Sequence, residues 1–341
     1  MNRQQIIQHI STAKLIDVHT HTGMDAVNFY RGDFPYAQSA EDLLVRLDRW
    51  GVDVAVTFPF LYSRWFDFAD FLQGRMTRAA AAFDAPYAPE NELLCREIYE
   101  AYPQCAGRLL PFMFFDPARA QKEQVAVLRR LSEKYPVFGL KTASSYLHAQ
   151  ITELLSAGSV LLDFAVEQNW PVMIHTAVHP DDPWANVHKI LDVVKARPDV
   201  RFCLAHTCRF DRRALDEAAE LPNCFVDFSA FNIHCQLAID NHPAVAVPEK
   251  RFSADYSNHA VAMKTIAEAY PETMIWGTDS PYYCFMSRFI NESGEEIIVQ
   301  LSCATDTEIN EFNKLPETMR RQIGIYNSQR WLLGENRKDK S

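Results

Sequence analysis

Leu15-Ile16-Asp17-Val18-His19-Thr20-His21 is an apolar run that ends in two histidines two positions apart. Alternate residues of an extended strand face the same side, so His19 and His21 project together from its C-terminal end and can chelate one ion. Three later stretches share this form, an apolar run closed by a ligand-type side chain: Val172-Met173-Ile174-His175, Phe202-Cys203-Leu204-Ala205-His206 and Met274-Ile275-Trp276-Gly277-Thr278-Asp279. A single histidine after an apolar run is ordinarily a hydrogen-bonded structural residue. The ordered set of a pair, two single histidines and an aspartate is what points to a metal site.

Working outward, eight short apolar runs lie near 15–19, 52–58, 108–115, 137–141, 171–175, 200–206, 224–229 and 273–279. Between most of them the apolar positions recur with helical spacing, as in 40–50, 122–134, 160–168, 186–196 and 259–269. Strands buried on both faces read as continuous apolar runs, so strand and helix in alternation predict an α/β fold, a (β/α)8 TIM barrel. A doubly wound open sheet is the competing architecture. It needs a glycine-rich phosphate turn after the first strand, where His21-Thr22-Gly23 stands instead. Two connections are long enough to rise over the C-terminal face as insertions, 58–104 after the second strand and 230–258 after the seventh; both are expected to wall the substrate pocket and to contribute to a homodimer contact. Helices are expected near 4–11 and 316–333. Residues 1–335 therefore read as one barrel domain, and 336–341 as a disordered tail.

The 341 residues are 48% hydrophobic, enough for a large core, and the formal charge of -10 argues against nucleic acid or an anionic membrane as the main partner. No stretch approaches the roughly 20 apolar residues of a membrane span, and the N-terminal residues lack a long apolar stretch. A cytoplasmic protein acting on a small molecule is expected. The eight cysteines show no paired C-x-x-C, which suits reduced core thiols.

The five ligand-type positions, each at a strand end, resemble those of the amidohydrolase superfamily, within it the amidohydrolase-related branch of metal-dependent hydrolases and non-oxidative decarboxylases. The most specific parts are Asp17-Val18-His19-Thr20-His21 and Gly277-Thr278-Asp279-Ser280-Pro281, and the likeness extends from Leu15 to Pro281. The resemblance implies a (β/α)8 barrel with His19, His21, His175 and Asp279 as metal ligands and His206 beside them. It implies one divalent ion per chain, zinc before others, rather than two. Lys141, which ends Val137-Phe138-Gly139-Leu140-Lys141, has two readings: a carboxylated bridge between two metals, with His175 and His206 on the second, or a free ammonium for the substrate or a neighbouring carboxylate. Asp17 likewise reads either as an acceptor beneath the metal or as a structural carboxylate.

A zinc ion held by imidazoles and a carboxylate, with one position open, makes a water nucleophile available at neutral pH. Asp279 is then the proton acceptor and His206 a partner of the water or the substrate oxygen. Hydrolysis of an ester, lactone or amide is the first expectation. Non-oxidative decarboxylation of an aromatic or unsaturated acid is the second and requires a cation for the carboxylate. Arg31, Arg64 and Arg209 are the candidates for that clamp, and Trp184 and Tyr282 for lining the pocket. A metal-free binding scaffold is the third reading. His179, His188, His234, His242 and His259 are isolated and are expected to be surface or loop residues.

Overall fold

The computed structural model describes residues 1–34, 37–81, 83–290 and 293–334; the expected tail at 336–341 lies outside them. Each of the eight apolar runs forms a strand: Ile16–His21, Val54–Phe58, Leu109–Phe114, Gly139–Thr142, Val172–Ile174, Phe202–Leu204, Cys224–Asp227 and Met274–Ile275. All neighbours pair in parallel and in sequence order. Closure runs past the end of the eighth strand, where Trp276 O accepts from Val18 N at 3.1 Å, His19 O from Asp279 N at 2.8 Å and Ser280 O from His21 N at 2.7 Å. Gly277 permits this approach, since a Cβ there would stand 2.9 Å from His19 Cβ. The fold is a (β/α)8 barrel.

The expected helices are present at Ala40–Trp50, Gln121–Lys134, Ser159–Glu167, Val187–Ala196 and His259–Ala269. Local capping explains their starts: Ser39 and Asp42 cap one another reciprocally at the first, and the side chains of Asn186 and Asn258 accept from the first turns of the last two. Inside the barrel, Val18, Val56, Phe112, Phe114, Met173, Cys203 and Phe225 fill one apolar layer; outside it, Leu43, Leu47, Leu131, Val172, Ile190 and Leu204 belong to a second layer between strands and helices. All eight cysteines are free and six are buried, as expected of core thiols.

The C-terminal face is more elaborate than the run lengths indicate. After the second strand come a short helix, Phe68–Leu72, and then Ala88–Arg96, which packs against the third strand. After the seventh comes Phe231–Ile239. After the eighth, where the sequence reading leaves no element, an antiparallel hairpin joins Cys284–Ile290 to Glu296–Ser302. Its alternating half-buried and exposed residues give a weak apolar signal, which is why it escapes a search for buried runs.

Candidate active site

His19 and His21 share one face of the first strand, and each presents Nε2 at 3.2 Å from Asp279 Oδ1. These three buried side chains are the group among the described residues whose donor atoms could hold one metal ion. The far side of His19 is fixed, because Nδ1 lies 2.7 Å from Asp227 Oδ2 at the end of the seventh strand. If Nδ1 carries the proton, the Nε2 lone pair of neutral His19 faces the lone pairs of Asp279 Oδ1, a buried oxygen that meets no well-aligned donor among the described residues. Acceptors facing one another in a dry site call for a cation between them, so the donor set fits a divalent ion. The two carboxylates flanking His19 favour positive charge at this point. Burial and Lys141 push the His19 pKa down, but Asp227 and Asp279 outweigh them and it rises; burial would raise Asp279, but His19 and His21 hold it well below the usual carboxylate range. Burial lowers His21.

The second half of the site stands on unusual backbone. His206 to Phe210 all have left-handed φ, between 48° and 62°, although none is glycine. Such a conformation costs roughly 1–2 kcal/mol per residue and persists only where surroundings over-determine it. Here His206 N donates to Asp227 Oδ1 at 2.8 Å, Arg209 O and Phe210 O accept from Ala246 N and Phe252 N, and Cys208 and Phe210 are core residues. With about three residues per turn, the segment aims His206 and Arg209 into the same cavity.

Arg209 is buried, yet no carboxylate of the described residues is ion-paired with it. It donates from Nε to Thr176 O at 2.7 Å, from Nη2 to His175 Nε2 at 2.8 Å, and from Nη1 to His234 Nε2. A guanidinium has five N–H groups and can only donate, so one N–H remains on each terminal nitrogen, and His175 Nε2 must be an acceptor. Neutral His175 then donates from Nδ1 to His206 Nε2 at 3.1 Å, and His206 from Nδ1 towards Ser229, whose Oγ is at 2.9 Å. Burial, and after it the charge of Arg209, pushes His175 and His206 well below the usual imidazole value and His234 down to about 3. These imidazoles are neutral, and Arg209 is the positive charge beside them.

Both halves line one cavity of about 210 Å³, together with Lys141, Tyr146 and Tyr282 and apolar walls that include Ile233, Leu237 and Phe285. The hairpin thus contributes to the pocket. Lys141 is buried, its Nζ lies over the Phe58 ring at 4.8 Å with no hydrogen-bond partner among the described residues, and burial lowers its pKa to about 8. Tyr282 lines the cavity and donates its hydroxyl to Asp25 Oδ2 at 2.6 Å. Asp17 takes its structural reading: it accepts from the backbone of His19 and Thr278 and from Thr278 Oγ1, tying the first strand to the eighth.

Other expectations are placed differently. His175 lines the cavity, but its ring nitrogens are engaged by Arg209 and His206 rather than turned to His19, His21 and Asp279. Arg31 is exposed and donates to Leu72 O, Arg64 is exposed and pairs with Glu90, and Trp184 stacks on His148 at 4.1 Å; none of the three lines the cavity. Their polar groups or rings are engaged on the rim. His234, expected at the surface, is buried in the pocket, and His242 is also buried, with Ser287 Oγ 3.1 Å from its Nε2. Asp227 was legible by the rule that found the histidines, since Cys224-Phe225-Val226-Asp227 is an apolar run ending in a carboxylate.

Residues 16–332 match the family described as Amidohydrolase. The chain belongs to the amidohydrolase family. No curated protein sequence matches this amidohydrolase. Among solved structures it is similar to a probable 2-pyrone-4,6-dicarboxylic acid hydrolase from Acinetobacter baumannii with citric acid bound (14% identity, covering 94% of this chain and 99% of that one, TM-score 0.50). It is also similar to an amidohydrolase from Burkholderia multivorans with bound zinc (12%, 94% and 99%, TM-score 0.53) and to apo IDCase from Metarhizium anisopliae (13%, 95% and 98%, TM-score 0.51). At these identities the likeness shows the fold. Neighbours of the fold include hydrolases and decarboxylases. No helix of the described residues is long and apolar enough to cross a membrane.

Proposed function

We propose that this amidohydrolase is a metal-dependent hydrolase acting on an ester, lactone or amide of a small, carboxylate-bearing molecule. The observation that carries the reading is the convergence of His19 Nε2 and His21 Nε2 on the unpartnered Asp279 Oδ1. His19, His21 and Asp279 would hold the ion, one per chain, and a set of two imidazoles and a carboxylate suits zinc, the metal bound in the Burkholderia multivorans protein. Bound there, a divalent ion supplies Lewis acidity and lowers the pKa of a coordinated water. Asp279, held ionised, would face the ion with Oδ1 and accept the proton of the attacking water at its other oxygen, Oδ2. Arg209 binds a carboxylate of the substrate through its two remaining N–H groups, and Ile233, Leu237 and Phe285 pack the apolar body and exclude water. His206 donates its Nδ1 proton away from the cavity, so it acts as an acceptor or a shaping wall, not as an acid. His175 becomes available to the ion only when Arg209 releases Nε2. The six buried free thiols support a cytoplasmic location.

Decarboxylation is the second reading, and Arg209 is the observation that favours it, because a buried cation without a carboxylate partner is what a departing carboxylate requires. The test is to purify the protein without chelator, measure its metal, and supply lactones, aryl esters and hydroxybenzoic acids while following proton and carbon dioxide release separately. Metal-dependent ester or lactone turnover is expected. Carbon dioxide release without ester or lactone turnover, lost in Arg209→Ala, would reverse the choice.

A further inference from the structure

Asp227 has no place in the reaction described above, yet two hydrogen-bonded arms of the site end on it. Its Oδ2 faces His19 Nδ1 at 2.7 Å. Its Oδ1 accepts from His206 N at 2.8 Å, Ser229 N at 3.0 Å and Ser229 Oγ at 2.5 Å. The second arm continues from Ser229 Oγ through His206 and His175 to Arg209. Arg209 can only donate, and both oxygens of fully buried Asp227 face donors and accept from them, so every proton between them points one way.

We infer that Asp227 is the positioning residue that sets the tautomers of this site, holding His19 as the Nδ1–H form with its Nε2 lone pair free for a metal ion. The inference deepens the metal-dependent reading and rests on it for its consequence, though not for the tautomer itself. A carboxylate behind a ligating imidazole fixes the ring orientation and raises its basicity, and losing such a partner typically costs 10–100-fold in metal affinity. Asp227 differs from a simple brace because the oxygen not used by His19 also anchors the left-handed turn that carries His206 and Arg209. One carboxylate thus ties the metal-binding half of the pocket to the anion-binding half.

Asp227→Asn separates these duties. An asparagine has one acceptor oxygen, and three donors (His206 N, Ser229 N and Ser229 Oγ) compete for it against His19 Nδ1 and the weakly donating Cys203 Sγ, 3.8 Å from Oδ2. The oxygen therefore stays with the turn, and the amide NH2 confronts His19 Nδ1. His19 must then accept at Nδ1 and carry its proton on Nε2, where it blocks coordination. Ser229→Ala removes a link of the other arm and leaves the His19 contact intact.

Two measurements decide the matter. Long-range 1H–15N spectra of histidine-labelled, metal-free protein, recorded at a pH where His19 is neutral and with His19 assigned by its loss in His19→Gln, should show His19 protonated on Nδ1 in the wild type and on Nε2 in Asp227→Asn. Chelator competition should show zinc bound roughly 10–100-fold more weakly by Asp227→Asn, with the cooperative thermal melt retained, and bound near wild-type strength by Ser229→Ala. Wild-type His19 protonated on Nε2 would overturn the inference whether or not the variant folds. So would undiminished zinc affinity in Asp227→Asn, or equal losses in both variants. Wild-type protein that binds no zinc but carries the His19 proton on Nδ1 supports the tautomer assignment and refutes the metal-dependent reading, so the two failures are distinguishable.

Discussion

The two halves of the pocket are built on different principles. His19, His21 and Asp279 stand on or just beyond the first and eighth strands, where strand parity and a glycine-permitted close approach bring them together. His175, His206, His234 and Arg209 come from three separate elements, and two of them ride on a turn with the wrong hand for L-residues. The first half gathers acceptors and awaits positive charge. The second holds a buried positive charge and awaits an anion. A substrate spanning both would place its carboxylate at Arg209 and its reacting carbon towards Asp279, so position in the pocket, rather than any single residue, would select what reacts.

The sharpest way to break this contrast is at Asp279. Asp279→Asn keeps an oxygen for a metal but cannot take a proton, and turnover should fall by about 10²–10⁴-fold in steady-state assays while metal content persists. Unchanged turnover would remove Asp279 from proton transfer. Arg209→Ala should raise KM for a carboxylate substrate by roughly 10–100-fold, the worth of a hydrogen bond to a charged group, and Arg209→Lys should restore less than half of that loss in free-energy terms because an ammonium lacks the planar fork. The matching methyl ester of the substrate carboxylate should be nearly indifferent to both variants; an equal loss would mean that Arg209 supports the pocket instead of reading an anion.

A third test lies outside the pocket. Burial raises the pKa of Glu308, which accepts from Asn232 N, to about 8. Because this folded value exceeds the unfolded one, the contribution of Glu308 to stability is complete below about pH 4.5 and is lost as pH rises through about 8, by at most about 1.4 kcal/mol per pH unit. Thermal melts between pH 5 and 8.5 should show the decline in the wild type and a flatter profile in Glu308→Gln; parallel profiles would show that Glu308 does not retain its proton in the folded state. The smallest effect is expected at the rim. Arg31→Ala and Arg64→Ala should leave KM nearly unchanged and stability within about 0.5 kcal/mol, since both side chains are exposed and lie outside the cavity.

Much of the site was legible in the sequence. Runs buried on both faces are long enough to announce strands, and the polar residue that ends such a run reaches the C-terminal face of a barrel, which is how His19, His21, His175, His206 and Asp279 could be chosen and how Asp227 could have been. Helix starts were equally local, as with the cap at Ser39. The hairpin at 284–302 was less so, because half-buried alternation over an open face is a weak signal beside a continuous apolar run.

What the linear sequence determined, then, was the barrel and which side chains arrive at its rim, because periodicity and strand parity are properties of near neighbours. Only the tertiary structure decided what those side chains do there. Choosing Arg209 over Arg31 and Arg64 depended on a left-handed turn that Asp227, Ala246 and Phe252 hold from elsewhere in the chain, and turning His175 to Arg209 depended on where that turn aims its guanidinium. Contacts between residues far apart in sequence leave no period to read, so the burial, tautomers and charge of this site emerge only when the strands close.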